Sequence, residues 1–234
     1  SQEVVVPGLE IESTVDEITA NTARFSWDNT VDVDQYICQP SSAPTPDDAT
    51  GAVSLSVSEV NEHAVIIPNL EPSTEYTVYA FYNGAICARA TFTTKKGKPV
   101  GYTEYNGVEA LIADWDDLSG NILVTISADA DLSNKSEIPA AVTNIVFWGE
   151  GATQPKLTIK GMSVPGALTK LEFYNLNITA PNGYIVNQNA VDGSFADIII
   201  SSCTLKTLRG VVRYQQAAAD KSCLLYTSPS PRDA

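Results

Sequence analysis

Two arginines in the last part of the sequence are the side chains best suited to bind an acidic ligand. Arg209 and Arg213 flank Gly210 within an otherwise mostly apolar stretch. A guanidinium group is planar and charged, and its paired N–H donors match both oxygens of a sugar carboxylate. The pattern predicts a carbohydrate-binding role for both arginines, and surface ion pairing is the alternative interpretation.

Aromatic rings offer a second kind of contact with sugars. Trp148 and Tyr174 are 26 positions apart, and each directly follows a phenylalanine, Phe147 or Phe173. If those phenylalanines point inward on neighbouring strands, alternation directs the other two rings outward. Because exposed rings present flat faces to sugars, we predict Trp148 and Tyr174 as carbohydrate-binding residues. The alternative is a pair that only stabilises adjacent strands.

Acidic residues form two clusters that could attract calcium, which prefers oxygen ligands. The first cluster is Asp114, Asp116 and Asp117, and the second is Asp129 and Asp131. Neither cluster has the spacing of a calcium-binding loop, so solvated charge is the favoured interpretation. We predict no cofactor, and Ca²⁺ stays the one candidate ion.

Several other chemistries are excluded by what the sequence lacks. His63 is the only histidine, which excludes Ser-His-Asp hydrolysis, Cys-His proteolysis and histidine-rich zinc sites. A net charge of −14 without a basic, aromatic stripe argues against nucleic-acid binding. No apolar run reaches the length of about 18 residues that a transmembrane helix needs. No catalytic residue is predicted, so enzyme activity stays open and a noncatalytic fragment is favoured.

Three cysteines precede the tail of the sequence, and their spacing gives neither a disulfide framework nor a zinc pattern. Cys38 and Cys87 are expected on sandwich strands C and G, which strand F separates, so a bridge between them is disfavoured. Cys203 has the character of a small apolar side chain.

The first part of the chain predicts a seven-stranded β-sandwich over residues 8–95, because short alternating runs are interrupted by turn residues about every ten positions. Trp27, Tyr36, the segment Leu70–Val78 and the closing Thr91–Thr94 resemble a fibronectin type III domain. The resemblance implies that the Tyr76 hydroxyl ties the corner before its strand back to the chain. Such modules are mostly spacers or adhesion platforms, and a passive spacer is the simpler interpretation.

A charged, glycine- and proline-containing stretch then predicts a linker over residues 96–105. The one predicted helix follows it. Asn106 and Glu109 have the spacing of a capping box, and Gly120 is suited to end the helix. Its apolar residues follow helical spacing: Val108, Leu111, Ile112, Trp115 and Leu118. A short amphipathic helix in this place is expected to cover the open end of a repeat domain.

An internal repeat predicts stacked coils in the second part of the chain. The segment 171–178 aligns apolar to apolar with 198–205 at an offset of 27, and 183–186 aligns with 210–213 at the same offset. The segment 145–149 precedes 171–175 by 26 residues. Periods in the twenties with alternating strands indicate a solenoid, and the spacing of a leucine-rich repeat is absent. Residues 106–222 are therefore predicted as the first part of a parallel β-helix.

Both ends of the sequence are expected to be open. Residues 1–7 are predicted as an N-terminal linker. The tail 223–234 corresponds to the translation of a transposase-type sequencing adapter, so we exclude it from the fold prediction. A signal peptide or lipid anchor would then lie upstream of Ser1.

The order of these features resembles the surface or secreted lipoproteins of Bacteroidota that join a fibronectin type III module to a right-handed parallel β-helix of unknown function, within the pectate-lyase-like superfamily. The resemblance rests on the Thr91–Thr94 ending, the linker, the helix and coil segments such as 144–151, 171–178 and 208–214. It implies an all-β protein at the outer membrane or outside the cell, associated with polysaccharide use. It implies no specific activity, because fold does not determine function.

Three functional hypotheses follow. The first is a noncatalytic extracellular or cell-surface protein that binds a polysaccharide or cell-surface glycan. The second is a polysaccharide lyase or glycoside hydrolase with its active site mostly on coils outside this sequence. The third is a structural or adhesin-like stalk.

Overall fold

The computed structural model describes residues 11–30, 32–188 and 192–214, together with the backbone of 224–228. The predicted linker 1–7 and the rest of the tail 223–234 lie outside these residues. The chain divides into two compact units, Ser1–Lys98 and Pro99–Ala234. The division falls within the predicted linker 96–105.

The first unit is a sandwich of two antiparallel sheets. Its elements are β1 (Ser13–Asp16), β2 (Ala23–Trp27), β3 (Gln35–Pro40), β4 (Val53–Ser54), α1 (Val57–Glu62), β5 (Ala64–Ile67), β6 (Glu75–Tyr82) and β7 (Ala85–Thr93). One sheet has the order β1-β2-β5 and the other the order β4-β3-β6-β7. The unit is the fibronectin-III-like sandwich that the sequence predicted.

Alternation along the strands directs one apolar face of each sheet into the sandwich core. Trp27 and Tyr36 are buried in this core, as expected. Tyr76 is also buried, and its hydroxyl oxygen accepts a hydrogen bond of 2.9 Å from the amide of Glu71. The bond closes the corner before β6 in the way that the fibronectin resemblance implied.

The second unit is a parallel solenoid. Its elements are β8 (Thr103–Asn106), α2 (Val108–Ala113), β9 (Gly120–Ile126), β10 (Ala130–Asp131), β11 (Val142–Gly149), β12 (Lys156–Thr158), β13 (Ala167–Tyr174), β14 (Asn177–Asn187), β15 (Ser194–Ser201), β16 (Thr204–Arg213) and β17 (Leu224–Ser228). One sheet has the order β17-β15-β13-β11-β9-β8, and the other has the order β10-β12-β14-β16. Successive strands of the chain alternate between the two sheets from β9 to β16, so the chain winds through about three turns.

Register between coils follows the predicted repeat in the first sheet. Leu171 pairs with Ile198 and Phe173 pairs with Ile200, at the offset of 27. Ile145 pairs with Leu171 at the offset of 26. All of these pairings are parallel, and the paired side chains named here are buried in one continuous core. The winding that the repeat predicted is confirmed.

The segment that covers the first coil has a different structure from the predicted one. Thr103–Asn106 is a strand that pairs with β9, so the solenoid begins within the predicted linker. The helix α2 begins after Gly107, and no side chain caps its N-terminus. A short 3-10 helix, Trp115–Asp117, follows α2. The predicted capping box is absent because Asn106 belongs to β8, where its side-chain oxygen accepts a hydrogen bond from the Thr125 hydroxyl.

The apolar side of this helical segment still packs as expected. Val108, Leu111, Trp115 and Leu118 are buried in the solenoid core. None of the helices in the described ranges is long and apolar enough to cross a membrane.

The last described strand extends the first sheet beyond β15. Strand β17 pairs in parallel with β15, and Leu224 lies opposite Asp197, again 27 residues earlier. Backbone N–H and C=O groups make this ladder, so the edge of β15 can accept a strand whatever the origin of its side chains.

Candidate functional site

The Trp148 and Tyr174 side chains are brought together as the sequence predicted. They occupy paired positions on β11 and β13, and their ring centroids are 4.1 Å apart with an interplanar angle of 32°. Phe147 and Phe173 stack inside the coil, with ring centroids 5.2 Å apart. Alternation therefore places the two pairs on opposite faces of one sheet.

The expectation that both outward rings are exposed is wrong for Trp148. Only 7% of Trp148 is exposed, because it packs in an outer cluster with Leu123 and Val146, against which Tyr102 and Tyr174 also pack. The Lys170 ammonium group lies 5.5 Å from the centroid of the Tyr102 ring. This face is largely filled by the protein's own side chains, which favours the stabilising interpretation for Trp148.

A buried carboxylate lies on the same outer face. Glu172 is 3% exposed, and the Lys170 ammonium group lies 3.5 Å from one of its oxygens. Burial also raises the pKa of the Tyr174 hydroxyl, and the nearby Cys203 raises it further. Tyr174 therefore stays a neutral phenol at physiological pH.

Arg209 and Arg213 lie on β16, in the other sheet. Their neighbours on the strand, Leu208, Val211 and Val212, pack against the solenoid core. Arg209 is exposed and Arg213 is half-buried. The four sequence-predicted residues therefore form two separate pairs on different sheets of the solenoid.

Tyr184 completes a site that the sequence did not predict. The Arg213 guanidinium carbon lies over the Tyr184 ring, 5.7 Å from its centroid. Gly210 lies directly against this ring: a Cβ atom at position 210 would be 2.9 Å from Cε1 of Tyr184. Only the absence of a side chain at Gly210 allows the ring to lie this close to the backbone.

The sequence missed Tyr184 because of a one-residue error in register. The offset of 27 predicted Tyr184 opposite Val211, whereas Tyr184 pairs with Gly210 at an offset of 26. The ladder between β14 and β16 has irregularities between Thr179 and Gly183 and between Gly183 and Tyr184. The first irregularity lowers the offset from 27 to 25 and the second raises it to 26, which aligns the ring with the glycine.

The acidic clusters are engaged in local structure. The Tyr105 hydroxyl donates to Asp114 at 3.2 Å, and the amide of Lys156 donates to Asp129 at 2.8 Å. The amide of Ser133 donates to Asp131, and hydrogen bonding with the Ser133 side chain, and then with its backbone, lowers the pKa of that carboxyl group. Within the described ranges, no group of three or more His, Cys, Asp or Glu side chains could hold a metal ion.

The three described cysteines are free thiols. Cys38 on β3 and Cys87 on β7 are separated by β6, as the sequence analysis expected. Burial raises the pKa of Cys38 to about 12 and the pKa values of Cys87 and Cys203 to about 11. These thiols are therefore protonated and poorly nucleophilic at neutral pH.

Comparisons with known proteins give matches among solved structures only, since no family model and no curated protein matches the chain. A myokine structure is 21% identical, with a TM-score of 0.29, over 39% of this chain and 100% of that chain. The FN3 domain of human collagen XX is also 21% identical, with a TM-score of 0.29, over 40% of this chain and 100% of that one. The fn3 domain of human contactin 1 is 16% identical, with a TM-score of 0.29, and the match covers 44% of this chain and 96% of that chain.

Proposed function

We propose that this chain belongs to a noncatalytic extracellular or cell-surface protein that binds polysaccharide through the outer face of β14 and β16. The observation that carries the proposal is the Arg213 guanidinium held over the Tyr184 ring, with Arg209 exposed nearby on the same strand. The extracellular location follows from the family resemblance.

The geometry suits sugar recognition for a physical reason. A guanidinium group that lies over an aromatic ring loses little freedom when it binds, and its N–H donors stay available for hydroxyl or carboxylate oxygens. The tyrosine hydroxyl offers a further donor and acceptor. Since arginine keeps its charge at every physiological pH, the site supplies a permanent positive charge.

The packing around each face also favours the outer face of β14 and β16 over the face that carries Trp148 as the binding surface. The latter is filled by Tyr102, Leu123 and Val146, so a sugar ring would have to displace protein side chains. Arg209, by contrast, is exposed, and its neighbours Leu208 and Gly210 pair with Gly183 and Tyr184 of β14. A site on a rigid strand keeps its donors in place before the ligand arrives.

Affinity electrophoresis of the full 234-residue chain tests the proposal. Gels containing soluble polysaccharides, both neutral and acidic, should retard the unmodified chain. The double substitution Arg209→Ala/Arg213→Ala should remove most of this retardation, whereas a charge-matched control, Arg24→Ala/Lys95→Ala in the sandwich, should keep it. Circular dichroism checks that both variants fold. Absence of retardation of the unmodified chain, or equal retardation of both variants, would overturn the proposal.

A stalk-like structural role is the second candidate function. The covered Trp148 ring favours it, because a stack that is filled by the protein's own side chains contributes to coil packing. It becomes the better explanation if no polysaccharide retards the unmodified chain.

A further inference from the structure

The sheet that carries the proposed site has a positive outer surface, although the chain as a whole carries a net charge of −14. Five cationic side chains lie on two of its strands and an adjoining turn: Lys156 on β12, Lys206, Arg209 and Arg213 on β16, and Lys160 in the turn after β12. Acidic side chains in this sheet lie at its far edge, where β10 carries Asp131. Positive charge in this sheet is therefore carried by β12, the turn after it and β16, on either side of β14.

Four of these five cations have exposed side chains, and Arg213 is half-buried. Lys160, Lys206 and Arg209 are exposed. Among the described residues, no carboxylate lies within ion-pair distance of these three or of Arg213. Elsewhere the chain does pair its cations, as Lys170 with Glu172 and Arg24 with Asp16 show. Unpaired charge of one sign on a single face attracts a ligand of the opposite sign.

Register places the cations on two coils on either side of Tyr184. Lys160 precedes Gly161, where a Cβ atom would be 3.2 Å from the Tyr184 carbonyl oxygen, so it belongs to the coil below the ring. Arg209 and Arg213 belong to the coil above it. Since neighbouring strands are about 4.8 Å apart, cations on these two coils are separated by about 10 Å across the sheet.

Two of the cations are also separated along the strand direction. Lys206 pairs with Thr179, while Arg213 pairs with Asn187, near the other end of the same ladder. Seven residues of extended chain span at most about 23 Å. A small anion reaches only one part of this surface, whereas a polymer with repeated charges contacts several cations at once.

We infer that the ligand of this face is a polyanionic polysaccharide whose charge is carried by carboxylates. The inference rests on the proposed function and specifies its substrate class. Carboxylate matches the planar fork of Arg209 and Arg213 in two parallel hydrogen bonds. Lys160 and Lys206 contribute charge without that geometry. The net negative charge of the rest of the chain opposes rigid, densely charged polyanions such as duplex DNA.

Matched polysaccharide pairs test the inference on the full chain by biolayer interferometry. Polygalacturonate is compared with its fully methyl-esterified form, and dextran sulfate with dextran. We expect the esterified polymer to bind at least tenfold more weakly than polygalacturonate, because esterification removes the charge and keeps the backbone. Binding should weaken as NaCl rises from 20 to 150 mM, because salt screens exposed charges.

Two triple variants distinguish binding at the proposed site from a general effect of net charge on binding. Lys206→Gln/Arg209→Gln/Arg213→Gln should weaken binding to polygalacturonate at least tenfold. Arg24→Gln/Lys95→Gln/Lys135→Gln changes the net charge by the same amount at residues outside β12, β14 and β16, and it should leave the affinity within twofold. Equal losses in the two variants would overturn the inference.

The remaining outcomes also discriminate. Equal affinity for the acidic and esterified polymers would overturn the inference and leave the proposed function standing. Tighter binding of dextran sulfate than of polygalacturonate, or equal binding of a DNA duplex, would show that charge density and not carboxylate is recognised. Absence of binding to every polysaccharide would remove both proposals.

Discussion

The two units of this chain bury their cores in opposite ways. In the sandwich, Phe25 on β2 and Val78 on β6 belong to different sheets that face each other across one core. In the solenoid, Phe147 and Phe173 come from equivalent positions of successive coils and stack within one sheet. The sandwich core therefore depends on which strands oppose each other, and the solenoid core depends on a repeated register.

The difference affects where functional residues can lie. Each coil of the solenoid repeats the same outward positions, so side chains from neighbouring coils form rows on its surface. The sandwich has no such repeat, and its single tyrosine corner serves the fold. This contrast explains why the proposed binding face lies on the solenoid.

Removal of a stacked core ring is expected to have the largest effect. Phe173→Ala should lower the free energy of unfolding of the solenoid by about 3–5 kcal/mol, because Phe173 is fully buried and Phe147 loses its stacking partner. Differential scanning calorimetry should show a shift of the solenoid transition alone. Phe25→Ala is the matched change in the sandwich, and it should shift only the other transition. If either variant shifts both transitions equally, the two cores are not independent.

Glycine substitutions are expected to have an intermediate effect for a different reason in each unit. A Cβ atom at Gly149 would collide with the backbone carbonyl of Asn175 in the next coil, so Gly149→Ala should cost about 1–3 kcal/mol. Gly84 has open space around it but a φ of +79°, so Gly84→Ala should cost about 1–2 kcal/mol.

Asparagine distinguishes the two causes in urea titrations. It tolerates left-handed backbone, so Gly84→Asn should recover part of the stability lost in Gly84→Ala. Gly149→Asn should be no better than Gly149→Ala. Recovery at both positions would mean that coil stacking does not require the glycine.

The tyrosine corner of the sandwich is expected to give the smallest effect. Tyr76→Phe removes the hydroxyl that accepts from the Glu71 amide, and it should cost about 1 kcal/mol. Tyr79→Phe is the matched control. The two tyrosines are equally buried, but the Tyr79 hydroxyl makes only a contact of 3.4 Å with Thr45. Urea unfolding of both variants measures the difference, and an equal loss would contradict a special role for the corner.

Local patterns explain why much of the fold was predictable. The motif around Tyr76 consists of neighbours along the chain, so the fibronectin type III resemblance that it carries implied the corner. The column of Leu171 and Ile198 follows from the parallel ladder, in which equal spacing keeps equivalent residues in register. These features need no knowledge of distant contacts.

The candidate site was predicted less well, because distant contacts decide it. Tyr102 packs near Trp148 although 46 positions separate them, and no periodicity connects the two. The bulges before Tyr184 shift one ladder by one residue, and a sequence alignment without gaps cannot show them. The prediction of a capping box was wrong for the same reason, because Asn106 belongs to β8, which pairs with β9.

The sequence by itself determined the two-unit, all-β organisation and the inward columns of the solenoid, because alternation and repeat length act along the chain. Only the tertiary structure decided which outward side chains remain free. It covered Trp148, and through one irregular ladder it placed Tyr184 against Gly210 and beneath Arg213. Exposure depends on which segments pack together in space, and that is a property of the folded chain.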